Sequence, residues 1–268
     1  MVLPANVMTA SAFHSLRALY EKHEGKLADK WSLYLHVYER VLAPYRERPI
    51  TFVEVGVQNG GSLELWAKYF ADARVVIGCD ANPACGALRF DDPRIALLIG
   101  PINSPPVYRE ITARAPQIDV FIDDGSHHSR DIVNSFCNYF QHVAPAGLYI
   151  VEDLHCAYFR DWGGGYSEPA GAMGFLKLLA DGLHHAYWKD QASFEAQVVP
   201  FLPPGTGMDA SLAADIFAIT FFDSMCVIEK RAVGAGAGLG ERVLAGREAP
   251  VDARPLEMRG NLVKPSHR

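Results

Sequence analysis

The sequence predicts an α/β fold with an open, seven-stranded, mostly parallel sheet, one antiparallel edge strand, helices on both faces and an N-terminal helical cap. Short runs rich in Val and Ile alternate with longer amphipathic segments, as in a parallel sheet covered by helices. The last two runs are separated by only Asp223 and Ser224, which is a hairpin-length connection. A connection this short makes those two strands antiparallel.

The elements follow in order along the chain. Apolar residues recur at helical spacing within 13–43, on both sides of a polar break, and predict the cap over residues 1–45. A core over 46–232 follows, and a tail with no apolar pattern, 233–268, is expected to be flexible. Within the core we predict strands at 50–56, 74–80, 94–100, 118–124, 147–153, 215–222 and 225–231, a helix in HSRDIVNSFCNYFQHV, another at 172–188, and an irregular stretch at 189–213.

Composition limits the class of function. The net charge is −6 and no long basic run occurs, so nucleic acid is not an expected partner. With 49% hydrophobic and 21% charged residues the chain is not disordered, and no apolar window approaches the roughly 18 residues of a membrane span. The five cysteines are scattered and include no CxxC pair, so we predict a cytoplasmic protein with reduced, buried thiols.

A glycine-containing loop and an acid follow the first two predicted strands. The loop reads EVGVQNGGS and begins at Glu54, with Gly56, Gly60 and Ser62 within it. Asp80 ends the second strand, where a carboxylate accepts ribose hydroxyls in nucleoside-binding α/β folds. Together they favour a nucleoside-containing cofactor, and the absence of a G-x-G-x-x-G loop argues against NAD. The alternatives are a plain strand-to-helix turn and an Asp80 that caps the next helix through Asn82-Pro83.

Four carboxylates end two further strands: Asp123 and Asp124 in DDGSHH, and Glu152 and Asp153 in VEDLH. The carboxyl ends of neighbouring parallel strands meet at one sheet edge, where four acids repel unless a cation joins them. Oxygen ligands suit Mg²⁺. The alternative is an Asp124-Gly125 turn, a helix cap at Ser126 and a solvated strand end.

Two histidines, His127 and His128, follow the first of these acidic pairs. A neutral imidazole beside a metal can remove a proton from a hydroxyl that the metal acidifies. One of two adjacent histidines is commonly a bystander, and the residues alone do not decide which.

Taken together, EVGVQNGGSLELW, VVIGCD, IDVFIDDGSHHSRDIVNSF, GLYIVEDLHCAYF and FFDSMCVIEK resemble the class I S-adenosylmethionine-dependent methyltransferases, which have a Rossmann-like sheet. Among them the chain looks like the metal-dependent sugar O-methyltransferases of macrolide and macrocin biosynthesis and their relatives that act on polysaccharides and glycolipids. The similarity runs from about residue 25 to 230, and DDGSHH with VEDLH is its most specific part.

The resemblance implies roles for individual residues. It makes Asp80 the ribose ligand, His127 the general base, and Asp124, Glu152 and Asp153 the ligands of Mg²⁺ or another divalent cation. Asp29 and Lys30 match a Thr-Asp-Lys segment that helps to close the site in relatives, with Ala28 departing from it; a helix cap by Asp29 is the alternative. It further implies that S-adenosylmethionine is contacted by Glu54, Gly56, Gly60, Ser62, Asp123 and Asn103, the last standing where relatives have Gly-Asp-Gln and this chain has Gly-Pro-Ile-Asn.

The expected function is metal-assisted methylation of a sugar hydroxyl on a glycosylated natural product, polysaccharide or glycolipid, in a homo-oligomer by analogy. Two rival reactions remain: methylation of a catechol-like phenol, and a non-haem iron oxygenase built from His127 or His128, His155 and a carboxylate. A non-catalytic cofactor-binding protein is the third alternative. Aromatic residues that could stack on a sugar, or equally pack in the core, are Tyr158, Trp162, Tyr166 and Trp188.

Overall fold

The computed structural model describes residues 15–166, 168, 171–188, 193–202, 211–235, 238–240, 243–248 and 250–251. The chain divides into two units, Met1–Val233 and Gly234–Arg268. All of the following elements belong to the first: α1 (Leu16–Glu21), α2 (Ser32–Leu42), β1 (Thr51–Val55), α3 (Gly61–Tyr69), β2 (Val75–Asp80), β3 (Ile95–Ile99), α4 (Pro105–Arg114), β4 (Ile118–Asp123), α5 (Ser129–Tyr139), β5 (Val143–Val151), α6 (Ala172–Gly182), α7 (Phe194–Val198), α8 (Ser211–Asp215), β6 (Ile216–Phe222) and β7 (Met225–Lys230).

The seven strands form one sheet in the order β3-β2-β1-β4-β5-β7-β6. Strands β1 to β5 pair in parallel, whereas β7 runs antiparallel to both β5 and β6. The prediction of an open, mostly parallel sheet with a reversed strand is confirmed, but the reversed strand is not at the edge. The burial of the last two strands agrees with this order. β7 lies between β5 and β6 and is almost entirely buried, whereas β6 is partly exposed and forms the edge.

Helices cover both faces of the sheet, as predicted. On one face, Trp66 of α3 and Tyr38 of α2 pack against Phe52 of β1, with Tyr38 and Trp66 ring centroids 5.1 Å apart. On the other, Phe136 of α5 packs against Tyr149 of β5 at 5.3 Å. These apolar layers hold the strands and leave their carboxyl ends free to present polar groups.

Several boundaries differ from the predicted ones. The predicted helical segments on the two sides of the polar break are α1 and α2 in the described residues, and β5 starts four residues earlier than expected, at Val143. The helix predicted at 172–188 ends at Gly182, and the stretch predicted as irregular contains α7 and the start of α8; within that stretch, 189–192 and 203–210 lie outside the described residues. Most of the tail also lies outside them, so its flexibility and the three-part domain division stay predictions.

The strand order reverses between β1 and β4, because β2 and β3 lie on one side of β1 while β4 and β5 lie on the other. In open α/β sheets, ligands bind beyond the carboxyl ends of strands at such a switch point. The glycine loop follows β1 and the DDGSHH segment follows β4, so both meet at this place.

Candidate functional site

A cavity of about 520 Å³ lies at the switch point, with a second of about 390 Å³ beside it. Gly56 and Asp80 line both. The first cavity continues to Asp124, His127 and Asp153, and the second to Asn103 and Asp123. The described part of the site is therefore a polar cleft with one branch toward the acids after β4 and β5 and another toward the loop after β3.

Gly56 shapes the turn after β1. Its φ is +89°, and a Cβ there would lie 1.9 Å from the carbonyl oxygen of Asp124. Only glycine tolerates both the left-handed backbone and this close approach. The sequence prediction of a tight turn that approaches a ligand thus has a second structural cause, the contact between the ends of β1 and β4. Gly60, with φ +87°, precedes α3 in the same way.

Asp80 is held at the end of β2 by backbone donors. The N–H groups of Val57 and Gln58 donate to its Oδ2 at 2.8 and 2.9 Å, and that of Asn82 donates to Oδ1 at 2.8 Å. Burial alone would raise the pKa of Asp80, but these N–H donors lower it below its usual value. The short helical turn that follows is capped by the Asn82 side chain and not by Asp80, so the capping alternative is wrong.

Glu54 and Ser62 form a buried pair beneath the first cavity. The Ser62 hydroxyl donates to Glu54 Oε2 at 2.6 Å and the Trp66 indole N–H donates to Oε1 at 2.9 Å. Glu54 is fully buried and burial raises its pKa, whereas Ser62 lines the cavity. Direct cofactor contact therefore remains a prediction for both residues, with Ser62 the one that faces the cavity.

Asn103 and Asp123 line the second cavity, but both side chains are engaged by protein groups. Asn103 Nδ2 donates to the Asp131 carbonyl at 3.2 Å and to Ser135 Oγ at 3.3 Å, while its Oδ1 accepts from Asn138. Tyr149 donates to Asp123 Oδ2 at 3.3 Å, and burial raises the pKa of Asp123 to about 7.

Three predicted site residues converge at the other branch. One ligand atom from each of Asp124, His127 and Asp153 lies within 4.8 Å of the others, and His127 Nε2 is 3.5 Å from Asp153 Oδ2. His127 and Asp153 both have positive φ, +55° and +53°. Such values are uncommon outside glycine and concentrate at functional sites, where surrounding contacts stabilise them.

Glu152 lies outside this group and is bound by two other side chains. Lys30 Nζ donates to Glu152 Oε1 at 2.7 Å, and the Tyr38 hydroxyl donates to the same oxygen. Lys30 also donates to Asp124 Oδ2 and lies 3.7 Å from Glu54. The lysine side chain is only 3% exposed, so it places a positive charge inside a cluster of carboxylates.

The balance of charge in this cluster fits a bound cation. Burial raises the pKa values of Asp124 and Glu152 to about 7, even though Lys30 lowers both. Burial would lower the pKa of Lys30, but the carboxylates of Glu152, Asp124 and Glu54 raise it well above its usual value. One lysine does not compensate for these acids, and the carboxylate oxygens of Asp124 and Asp153 are ligands that Mg²⁺ accepts, with His127 beside them.

The histidines near the site differ in their surroundings. His127 faces Asp153, and burial lowers its pKa, which favours the neutral base. His128 is the N-cap of α5, where its Nδ1 accepts from the Arg130 N–H at 3.3 Å. His155 Nδ1 contacts Ser224 Oγ at 2.6 Å. The cap predicted as an alternative at Ser126 is therefore formed by His128, and Ser126 donates to Asp131.

The segment before α2 also lines the first cavity. Ala28, Asp29 and Lys30 face it, and α2 begins at Ser32 after Trp31, so Asp29 is not a helix cap. Of the aromatic residues proposed for sugar stacking, Tyr158, Trp162 and Tyr166 are exposed, whereas Trp188 packs 6.2 Å from Phe194. Two tyrosines of α2, Tyr34 and Tyr38, contact the acids without any local motif that predicts it.

Comparison with characterised proteins yields related enzymes. The chain is 33% identical over 222 residues to 8-demethyl-8-alpha-L-rhamnosyl tetracenomycin-C 2'-O-methyltransferase of Streptomyces olivaceus, covering 79% of this chain and 54% of that protein. It is 33% identical over 159 residues to mycinamicin VI 2''-O-methyltransferase of Micromonospora griseorubida, covering 55% and 39%. No protein-family model matches.

Among solved structures, the MycE methyltransferase of the mycinamycin biosynthetic pathway, in complex with Mg, SAH and mycinamycin VI, superposes with a TM-score of 0.65 and 25% identity. The match covers 84% of this chain and 54% of MycE. In sequence and in fold the chain is similar to S-adenosylmethionine-dependent sugar O-methyltransferases of macrolide and tetracenomycin biosynthesis.

The chain spans about half the length of the curated relatives it matches. Its open seven-stranded sheet is the methyltransferase-like Rossmann fold. In the part of the chain that the structure describes, no helix has both the length and the apolar character that a bilayer crossing needs.

Proposed function

We propose that this chain is an S-adenosylmethionine-dependent, divalent-metal-assisted O-methyltransferase that acts on a sugar hydroxyl of a glycosylated small molecule. The observation that carries the proposal is the convergence of Asp124, His127 and Asp153 on a cavity that continues to Gly56 and Asp80. Methyl transfer from a nucleoside-containing donor to an acceptor held by a metal needs a nucleoside site and a metal site side by side. The relatives named above, which methylate sugars, support the same reaction.

The cofactor branch is suited to a nucleoside. Asp80 stays ionised because three backbone N–H groups donate to it, and its remaining acceptor capacity faces the cavity toward ribose hydroxyls. Gly56 lines both cavities, and without a Cβ it lets the ends of β1 and β4 come together beside them. We assign Ser62 and Asp123 to the walls of this branch, Gly60 to the turn that leads into α3, and Glu54 to the support of Ser62, which donates to it.

At the other branch, Asp124 and Asp153 would hold Mg²⁺, with Glu152 completing the set if its contact with Lys30 is exchanged for the ion. When bound, S-adenosylmethionine supplies the methyl group on a sulfonium leaving group, and Mg²⁺ acidifies and positions the acceptor hydroxyl. His127 takes the proton of that hydroxyl on Nε2, and Asp153, 3.5 Å away, stabilises the imidazolium that forms. Lys30, which lines the cavity with an almost fully buried side chain, donates to Asp124 and Glu152 and keeps both acids in place.

The donor set favours methyl transfer over an iron oxygenase. A facial iron triad needs two histidines and a carboxylate. Among the described residues, the group with metal-binding geometry contains one histidine, His127, because His128 caps α5 and His155 binds Ser224. A phenolic diol would suit the same metal site, so the choice between sugar and phenol rests on the relatives.

The decisive test is calorimetry with S-adenosylmethionine and S-adenosylhomocysteine, with and without MgCl₂, followed by mass spectrometry of a panel of glycosides and catechols. We expect binding of both nucleosides and a 14-Da gain on a glycoside, lost in EDTA and reduced about 10²- to 10⁴-fold in His127→Ala. His142→Ala is the control, since this histidine contacts Tyr108 away from the site. Activity that survives both EDTA and His127→Ala would refute the mechanism.

A further inference from the structure

The hydroxyl of Tyr34 touches Asp153 at two points. Tyr34 Oη lies 2.6 Å from Asp153 Oδ1, and the backbone N–H of Asp153 donates to Oη at 3.2 Å. Tyr34 is 2% exposed and comes from α2, 119 residues away in the chain. A single buried phenol therefore forms hydrogen bonds with both the main chain and the side chain of Asp153.

The direction of these bonds follows from the number of protons. A phenol has one proton to donate and two lone pairs with which to accept. The proton goes to the charged carboxylate at 2.6 Å, since bonds to charged acceptors are the strongest. Oη then accepts from the Asp153 N–H and from the hydroxyl of Ser224, whose Oγ is 2.8 Å away.

Ser224 ties this contact to the β6–β7 turn. Its carbonyl accepts from the Leu154 N–H at 2.9 Å, and its Oγ lies 2.6 Å from His155 Nδ1. Residues 153–155 are thus fastened to the hairpin turn on one side and to α2 on the other. The turn that joins the last two strands acquires a role at the site that its position in the sequence does not indicate.

Asp153 needs such support because its φ is +53°. A non-glycine residue in this region is strained and keeps the conformation only when its surroundings enforce it. With Oδ1 bound to Tyr34, the other oxygen, Oδ2, is directed toward His127 Nε2, 3.5 Å away. The phenol therefore selects which carboxylate oxygen faces the group formed with Asp124.

We infer that Tyr34 is a positioning residue that holds Asp153 by a direct hydrogen bond, supported by Ser224, in the orientation that binds the divalent cation. This inference rests on the proposed function, which makes Asp153 a metal ligand. Partners of metal ligands commonly change metal affinity by 10- to 100-fold when they are removed. A tyrosine that only fills the core would affect stability and leave metal affinity unchanged.

The test is a titration of the full chain with MnCl₂, followed by electron paramagnetic resonance of free Mn²⁺. Tyr34→Phe should weaken Mn²⁺ binding roughly 10- to 100-fold and leave the Kd of S-adenosylhomocysteine, measured without metal, unchanged. Ser224→Ala should weaken it by less, about 3-fold by the same reasoning, since Tyr34 then keeps its direct bond to Asp153. Tyr45→Phe is the matched control, because it also removes a buried tyrosine hydroxyl but one that donates to the Ala146 carbonyl.

Each outcome is decisive. An Mn²⁺ Kd for Tyr34→Phe within two-fold of that for Tyr45→Phe overturns the inference and leaves the proposed function intact. If circular dichroism shows that Tyr34→Phe does not fold, Ser224→Ala decides, and a wild-type Mn²⁺ Kd in that variant overturns the inference. If the wild-type chain shows no Mn²⁺ binding that is lost in Asp124→Asn, both the metal part of the proposed function and this inference are wrong. Binding of S-adenosylhomocysteine tests the cofactor part separately.

Discussion

Asp80, on the cofactor side, and the acids of the metal branch are stabilised in opposite ways. On the cofactor side, Asp80 accepts three backbone N–H groups, which lower its pKa. On the metal side, burial raises the pKa values of Asp124 and Glu152 to about 7, and Lys30 compensates only in part. The charge of Asp80 is stabilised by protein donors alone, whereas the charges of Asp124 and Glu152 are only partly compensated by Lys30.

This contrast teaches where a ligand adds stability. A carboxylate that the backbone already satisfies gains little from a cation, so Asp80 is free to recognise hydroxyl groups. The acids after β4 and β5 gain a great deal, because a divalent ion removes the repulsion that burial strengthens. The cofactor branch is therefore expected to form without a ligand, and the metal branch to tighten when the cation binds.

The largest effect is expected from Gly56→Ala, which disrupts the contact between the ends of β1 and β4. Gly56→Ala would place a Cβ 1.9 Å from the Asp124 carbonyl oxygen and force alanine to φ +89°. Because backbone stands in the way, we expect a loss of about 4 kcal/mol or more in the free energy of unfolding, in the range of severe single substitutions. Urea denaturation measures it.

Gly60→Ala is the matched control for that substitution. Gly60 has a similar φ of +87°, but the atom nearest to an added Cβ belongs to the side chain of Phe90, at 2.9 Å, and not to the backbone. We expect mainly the conformational cost, about 1–2 kcal/mol. Equal losses in the two variants would mean that strain alone, and not the contact of β1 with β4, makes glycine necessary at position 56.

Removing the internal cation should have the next largest effect. Lys30→Met leaves Glu152 and Asp124 without their positive partner, and breaking such a buried pair typically costs about 3–5 kcal/mol. Because a divalent ion would take over the compensation, saturating MgCl₂ should restore more stability to the variant than it adds to the wild type. Thermal and urea unfolding with and without MgCl₂ measure both values.

The control for that prediction is Lys26→Met, which removes a half-exposed lysine 2.6 Å from Glu64. Exposed pairs contribute about 0–1 kcal/mol, and this one has no acidic cluster behind it. An equal gain from MgCl₂ in the Lys26 and Lys30 variants would contradict the idea that the ion compensates the acids after β4 and β5.

A reciprocal pair of substitutions should separate the two branches. Asp80→Asn should weaken S-adenosylhomocysteine binding by about 1.5–3 kcal/mol, roughly 10- to 100-fold, because it removes a charged acceptor, and leave Mn²⁺ affinity unchanged. Asp124→Asn should do the reverse when the nucleoside is titrated without metal. Asp92→Asn, which disturbs a surface pair with Arg94, serves as control for both. A loss of both affinities in either variant would show that the branches form one unit.

The sheet could be predicted because its signals are local. Each β-branched run lies within one strand, and the two-residue connection at Asp223 and Ser224 leaves only a hairpin. The position of β7 could not be read in this way, since which strand lies at the edge depends on side chains that pack from other elements. The short helices α7 and α8 were missed because five residues are too few to display helical periodicity.

The residues of the candidate site also divide into those that local motifs predict and those that they do not. Asp80, Asp124 and His127 stand in motifs at strand ends, where topology alone brings them together. The contacts of Tyr34 and Tyr38 with Asp153 and Glu152 span 119 and 114 residues, and nothing in the helical pattern of α2 distinguishes these tyrosines from core residues. Partners that orient an acid come from elements that the motif does not contain.

The smallest expected effect concerns Asn103, where the sequence departs from its relatives. Asn103 was expected to contact the cofactor in place of the missing acid. Its amide instead donates to Asp131 and Ser135 and accepts from Asn138, all on α5. We therefore expect Asn103→Ala to lower the free energy of unfolding by about 1–2 kcal/mol, as for lost neutral hydrogen bonds, and to change the Kd of S-adenosylhomocysteine by less than about three-fold. Calorimetry and urea unfolding on the same samples decide between the two roles: a large loss of affinity at wild-type stability would make Asn103 part of the cofactor branch. Unlike Asp80, whose backbone donors leave it facing the cavity, Asn103 would then have to give up its contacts with α5 to reach the ligand.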